Sequence, residues 1–324
     1  MSFKVKFVNN EKIIDVRGES YLLEELIAAG MNLPYSCKRG ICDTCEADLI
    51  DGQVEYNKCK ESVVTGQQRI LLCQAKAQTD LTLDIQELVE LDKIRILMLP
   101  ARVHSMELVA PDIMQIQLRI PPTTTFRYLP GQYIDIHYTG NIHRSYSIAD
   151  YDGNNHLVEL HIRKKSGGIF TEHVFKGMKI NELLRFEGPL GSFFIRNKSK
   201  SPIIFLAGGT GFAPIKTMVN DLIKNKDDRN IYVYWGATSV EGFYSSVPNE
   251  WAEQCTNIKF IPVLSEGHWA GRKGYVHAAV LEDFTDLSQF EVYACGSPLM
   301  IEVAKEAFMR AGLNRNAFFS DAFV

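Results

Sequence analysis

Four cysteines stand at a spacing that chemistry can use. Cys37, Cys42 and Cys45 form C-x4-C-x2-C, and Cys73 follows Cys45 after 27 intervening residues. This is the plant-type spacing for a 2Fe-2S cluster, in which four thiolates bind two bridged irons. A zinc site is the main rival, but zinc modules usually present two close pairs, whereas three of these ligands share one loop. Gly40, between the first two ligands, suits a loop that wraps a cofactor, because a residue without Cβ lets backbone amides point at sulfur. Cys59 does not fit the spacing and is expected to be a small buried or surface thiol.

Nucleotide chemistry is concentrated further along. A flavin needs an aromatic face, a donor or acceptor near its N5 edge, and a cation for its pyrophosphate. In Arg144-Ser145-Tyr146-Ser147 these are Tyr146, Ser147 and Arg144, with strand alternation sending Arg144 and Tyr146 to one side and Ser147 to the other. Gly167 and Gly168 precede Ile169-Phe170-Thr171 at the start of a helix, where free amides can cradle the pyrophosphate. Gly208-Gly209-Thr210-Gly211-Phe212-Ala213-Pro214 lies between an apolar strand and a helix expected over residues 216–223, a second phosphate turn spaced G-x-G-x-x-P. Pro214 fits a first helical turn, where the amide has no intrahelical partner to lose. Cys295-Gly296-Ser297-Pro298 repeats the strand-to-small-residue turn. By itself Cys295 reads as a small buried residue. The loop after the second apolar strand of this part of the chain, residues 235–244, has no arginine for a 2'-phosphate and offers Glu241 to a ribose hydroxyl, which favours NADH over NADPH. Arg272 and Lys273 are the reservation, since they could reach the same pocket from another loop.

The elements that must hold these residues change character along the chain. Residues 1–90 read as a small α+β unit, with Phe3, Val5 and Phe7 on an alternating strand, a short helix around Leu22–Ile27, and a hairpin expected at Asp51-Gly52 between strands 47–50 and 54–56. Residues 91–99 are read as a linker. Over 100–198, short alternating strands at 115–120, 133–137, 145–148 and 158–162, with proline and glycine turns between them, predict an antiparallel barrel. Over 199–324, apolar runs at 203–207, 231–235, 259–263 and 292–295 alternate with helix-length segments, as in a doubly wound parallel sheet.

Composition excludes other classes. With 46% hydrophobic and 23% charged residues, disorder, collagen-like and disulfide-dense readings are poor. A formal charge of -4 offers no basic excess for nucleic acid. Residues 1–90 hold 10 basic and 15 acidic side chains, leaving 25 and 24 for the rest, so the acidity belongs to the cysteine-rich head. No apolar run approaches the roughly 18 residues of a membrane span, and the first residues lack a signal-peptide core. A reducing cytoplasm is expected, where clustered cysteines mean metal or redox chemistry.

Taken together, the cysteine loop, the R-x-Y-S strand, the turns at residues 208–214 and 295–298 and the tail Phe318-Phe319-Ser320-Asp321-Ala322-Phe323 resemble the ferredoxin-NADP reductase superfamily fused to a plant-type ferredoxin. Residues 203–214, 233–236 and 276–283 are most similar to its iron-sulfur flavoproteins of 3,6-dideoxyhexose synthesis. The resemblance implies a β-grasp ferredoxin domain, a flavin-binding barrel and a nucleotide-binding domain. It also implies a path in which NADH gives hydride to FAD, FAD passes single electrons to the 2Fe-2S cluster, and the cluster reduces a partner protein. Tyr146 and Ser147 would hold the isoalloxazine, Arg144 and Thr171 the pyrophosphate, Thr210 and Cys295 the nicotinamide, and Phe323 would lie by the flavin ring. The implied partner is a dehydrase carrying pyridoxamine phosphate and its own iron-sulfur cluster, acting at C3 of a CDP-4-keto-6-deoxy sugar. The reductase of a ring-hydroxylating or diiron oxygenase would use the same residues, and a non-enzymatic redox sensor is the alternative of another class.

Overall fold

A computed structural model describes residues 2–56, 63–196 and 199–323, and Cys59 lies outside them. The chain forms two compact units that divide between Ile94 and Arg95.

The first unit comprises β1 (Phe3–Phe7), β2 (Ile13–Val16), α1 (Leu22–Ala28), β3 (Glu46–Asp51), β4 (Gln53–Tyr56), β5 (Val63–Thr65), β6 (Gln68–Leu71), β7 (Ala75–Ala77) and β8 (Leu81–Asp84). A mixed sheet ordered β2-β1-β8-β3-β6 carries a core of Val5, Phe7, Leu49 and Leu83, against which α1 buries Leu22, Leu23 and Leu26. The hairpin expected at Asp51-Gly52 does not form. Both edges of β3 are taken, by β6 (Ala47↔Ile70) and by β8 (Leu49↔Leu83), so β4 instead joins β5 and β7 in a separate sheet. Gly52 makes the crossing at φ +100, where a Cβ would overlap the Asp80 carbonyl oxygen. Turn chemistry is local, and the pairing is decided by strands distant in sequence.

The second unit opens with β9 (Leu97–Ala110), which begins inside the segment read as a linker, and continues through β10 (Ile113–Arg119), β11 (Tyr133–Tyr138), β12 (Ile142–Asp152), β13 (Leu157–Arg163), α2 (Ile169–Lys176) and β14 (Leu183–Leu190). These six strands close into a barrel ordered β10-β13-β12-β11-β14-β9, with α2 burying Phe170 and Val174 in its core. Next come β15 (Ile203–Gly208), α3 (Phe212–Lys224), β16 (Ile231–Ala237), α4 (Val247–Gln254), β17 (Ile258–Leu264), β18 (Arg272–Lys273), α5 (Val276–Asp283), β19 (Glu291–Gly296), α6 (Pro298–Arg310) and β20 (Phe318–Ala322). Their six strands are parallel, in the order β18-β17-β16-β15-β19-β20, so the tail of the chain supplies an edge strand. The reversal of strand order between β15 and β19 opens the crevice where ligands of such sheets bind.

Under that crevice Trp235 is fully buried, stacked on Phe212 with centroids 4.1 Å apart, and its indole N–H donates to the Gly209 carbonyl at 2.9 Å. Trp235→Ala is expected to cost about 3–5 kcal/mol in denaturant unfolding. Trp235→Phe keeps most of the packing but strands the Gly209 carbonyl, costing about 1–3 kcal/mol.

Candidate functional site

In the first unit the cysteine loop folds back on itself, with Lys38, Gly40 and Asp43 at φ 53, 71 and 56. Cys37 is half-buried and Cys42, Cys45 and Cys73 are buried. The thiols fall into contacting pairs, Cys37 with Cys42 and Cys45 with Cys73. The amides of Arg39 and Ile41 point at Cys37 Sγ at 3.4 and 3.5 Å, and the Gln74 side chain reaches Cys73 Sγ at 3.6 Å. A hydrogen bond from Cys42, backed by those amides, lowers the Cys37 thiol to about 5. A hydrogen bond from Cys45, with Gln74 and the Gly40 amide, lowers Cys73 to about 7. Cys42 and Cys45, the buried donors of each pair, are pushed up. A 2Fe-2S cluster takes two protein thiolates on each iron, which two pairs satisfy.

In the second unit β12 changes neighbour midway. Ile142 to Ser147 pair with β11, whereas Ile148 to Asp152 pair with β13. Among the described residues the R-x-Y-S segment thus pairs with a strand on one side only. Ser147 is buried and its Oγ has no hydrogen-bond partner among the described residues. A buried orphan hydroxyl costs free energy unless a ligand completes it. Tyr146 is largely buried, which pushes its phenol up, and its ring lies 5.7 Å from Phe170 of α2. Arg144 is exposed, and the Ser145 hydroxyl donates to the Asp135 carboxylate. Gly168 is the N-cap of α2, whose first-turn amides lack intrahelical acceptors. The Thr171 hydroxyl is engaged inside this turn: it donates to the Gly168 carbonyl at 3.0 Å and lies 3.2 Å from the Lys165 amide. It shapes the turn, together with the Gly168 amide, which donates to the Lys165 carbonyl at 3.0 Å.

The third constellation sits at the carboxyl edge of β15 and β19. A Cβ on Gly211 would collide with the Cys295 carbonyl oxygen, and one on Gly209 (φ +54) would overlap the Arg163 guanidinium. Pro214 lies in the first turn of α3, which starts at Phe212, four residues ahead of the expected 216. Thr210 is buried in the turn, and Gly296 backs against Gly208. Cys295 is fully buried, and burial, with the Asp321 charge, pushes its thiol well up, so it is protonated and no nucleophile. Glu241 is exposed, held low by its own amide and the Ser239 hydroxyl, and it rims a cleft of about 570 Å³ shared with Tyr244, Ser245 and Pro111. Arg272 is committed to Asp283, at 2.5 and 2.8 Å, so its guanidinium is spent on α5. Phe323 is 38% exposed, and its amide donates to the Gly296 carbonyl at 2.9 Å.

Family profiles match in three stretches: a 2Fe-2S iron-sulfur cluster binding domain over residues 6–78, an oxidoreductase FAD-binding domain over 100–195 and an oxidoreductase NAD-binding domain over 205–306. Across its full length the chain is 45% identical to the CDP-6-deoxy-L-threo-D-glycero-4-hexulose-3-dehydrase reductase of Yersinia pseudotuberculosis, covering 99% of that protein. The chain belongs to the iron-sulfur flavoprotein reductases of the ferredoxin-NADP reductase superfamily. It is an NADH-dependent oxidoreductase whose cofactors are FAD and a 2Fe-2S cluster. The reductase is also 32% identical to a terephthalate 1,2-dioxygenase reductase component of Comamonas, over 94% of this chain and 92% of that protein. Among solved structures it superposes on the Amycolatopsis cytochrome P450 reductase GcoB with a TM-score of 0.78 at 25% identity, covering 99% of this chain and 98% of that one.

Arg163 went unnoticed in the sequence. Its signal was present, since Glu159, His161 and Arg163 alternate on one face of β13, but only the fold brings that face to the glycine turn. Cys73→Ser in the reductase is expected to abolish the cluster's visible absorption and its electron paramagnetic signal after reduction, while flavin absorption persists. Ser147→Ala is expected to leave the flavin-free protein as stable or up to about 1–3 kcal/mol more stable in denaturant unfolding. It should nevertheless slow NADH-driven flavin bleaching in the loaded enzyme.

Proposed function

We propose that this reductase carries electrons from NADH to a dehydrase that holds pyridoxamine phosphate and its own iron-sulfur cluster, and that removes the C3 hydroxyl of a CDP-4-keto-6-deoxy sugar. The observation that carries this reading is the 45% identity over the whole chain with a reductase named for such a dehydrase, against 32% for a dioxygenase reductase. Bound FAD supplies the conversion between a two-electron hydride and the single electrons that a 2Fe-2S centre accepts.

The chain's own residues then have assignable tasks. Cys37, Cys42, Cys45 and Cys73 ligate the irons, and the amides of Arg39 and Ile41 stabilise charge on sulfur. Tyr146 covers the flavin ring, Ser147 Oγ donates at its edge, and Arg144 with the amides beyond Gly167 and Gly168 holds its pyrophosphate. Gly209, Gly211 and Arg163 receive the diphosphate of NADH, and Pro214 starts the helix behind it. Thr210, Cys295 and Gly296 flank the nicotinamide, with Cys295 acting as an uncharged wall, and Phe323 lies where the nicotinamide enters. Glu241 accepts from the ribose hydroxyl and repels a 2'-phosphate. The site of action is the cytoplasm, whose reducing conditions suit clustered cysteines that serve as metal ligands. No helix among the described residues is long and apolar enough to cross a membrane.

The sugar is expected to stay on the dehydrase. Purified reductase with NADH should leave the CDP-sugar unchanged, and adding the dehydrase should start C3 deoxygenation. Conversion by the reductase alone, or coupling only to an oxygenase, would overturn the reading. For nucleotide choice, kcat/KM should favour NADH over NADPH by at least about tenfold, equivalent to about 1.4 kcal/mol. Glu241→Gln should narrow that ratio.

A further inference from the structure

One buried polar cluster, Glu159 with Lys216, His161 and Gln115, is not used by any of these assignments. Glu159, His161 and Arg163 point to one face of β13, and each meets a different part of the parallel-sheet half. The Lys216 ammonium of α3 donates to Glu159 Oε1 at 2.7 Å, with side-chain exposures of 12% and 8%. His161 Nε2 lies 3.1 Å from the same oxygen, and the Tyr244 hydroxyl lies 2.9 Å from Nδ1. The coherent assignment is a neutral imidazole that donates to Glu159 and accepts from Tyr244. Gln115 of β10 donates to Glu159 Oε2 at 2.9 Å. Burial raises the Glu159 carboxyl, but the His161 hydrogen bond and the Lys216 charge outweigh it and bring it to about 2. Burial keeps His161 low.

Such a pair is poor economy as a stabiliser, because desolvating both charges consumes most of their attraction, and apolar replacements are often as stable. What it supplies is geometry. Apolar surfaces tolerate sliding, whereas an ammonium-carboxylate contact is satisfied over a few tenths of an ångström. Its two ends are tied closely to the two reacting sites. Glu159 pairs across the ladder with Asp150 of β12, the strand that carries Ser147, and Lys216 lies on the helix that follows Gly211.

We infer that Glu159 and Lys216 are positioning residues for hydride transfer, setting the nucleotide turn against the flavin strand. This rests on the reading that NADH reduces flavin between Ser147 and Thr210. Hydride transfer needs reacting atoms about 3–3.5 Å apart, and a displacement of about 1 Å costs on the order of a hundredfold.

The test is anaerobic stopped-flow reduction of flavin by NADH, using full-length loaded enzyme and following flavin bleaching. In the variant Glu159→Leu with Lys216→Met the pair becomes apolar, so thermal stability and flavin occupancy should match or exceed wild type. The saturating reduction rate should fall by about 10- to 100-fold, with the apparent Kd for NADH within about threefold. Lys216→Met alone, which leaves Glu159 held by His161 and Gln115, should slow the step at least about tenfold per bound flavin, and Lys216→Arg, which keeps a cation on Glu159 at a different reach, should slow it in a folded protein. Reduction at the wild-type rate in any of these variants overturns the inference. So does a rate that falls only in proportion to lost flavin. If wild-type flavin is not reduced by NADH at all, the reading of the site fails, and the inference fails with it.

Discussion

Close approach of backbone to backbone at the carboxyl edge of the parallel sheet is the constraint on which the nucleotide half depends. The turn after β15 folds across the end of β19 so tightly that Gly211 meets the Cys295 carbonyl with no room for a Cβ, and a Cβ on Gly296 would press on Gly208 at 3.2 Å and on the Met300 side chain at 2.8 Å. Everything around this contact serves to keep it. Trp235 braces the turn from below through its indole N–H, and Phe212 stacks on Trp235 to start α3 in the right place. Cys295 fits because it is small and stays uncharged under burial. The edge strand β20 pairs with β19 in parallel, so the aromatic tail reinforces the same rim.

The polar seam between barrel and sheet follows a different logic. Glu159, Lys216, His161, Gln115 and Tyr244 each have a partner within the seam, and its net stabilisation is small by the usual accounting for desolvated ions. A second tie crosses nearby, where the Gly131 amide donates to the Thr217 hydroxyl of α3 at 3.1 Å. Two polar contacts from neighbouring positions of one helix restrict both its translation and its rotation. Apolar packing of equal area would restrict neither as sharply.

Legibility in the sequence tracked the range of the interaction. Cys37, Cys42 and Cys45 were readable because one loop carries them and ligand chemistry fixes their spacing. The barrel strands around residues 115–120 and 158–162 were readable because alternation is a local property. By contrast β9 went unread: it contains Pro100, a residue that ordinarily demotes a strand, although here it pairs with Arg185 of β14. The hairpin at Gly52 failed because the competing partners, β6 and β8, arrive from residues 68–84. Arg163 and Lys216 come from different halves of the second unit. No pattern in either segment announces the other, so their meeting with Gly209 and Glu159 is visible only once the barrel and the sheet are assembled. The Arg272 reservation had the same origin, since Asp283 stands eleven residues beyond it and claims the guanidinium.

The change of neighbour along β12 has a further meaning. Among the described residues the strand pairs on one side only from Ile142 to Ser147, so a row of main-chain donors and acceptors lacks a strand partner beside an unpaired serine hydroxyl. A flat heterocycle with alternating ring nitrogens and carbonyls along its edge can occupy that row much as a seventh strand would. A cofactor bound there would also cap an exposed β-edge. An unpaired β-edge is a template on which another chain can add a strand, so whatever group covers residues 142–147 also guards that border.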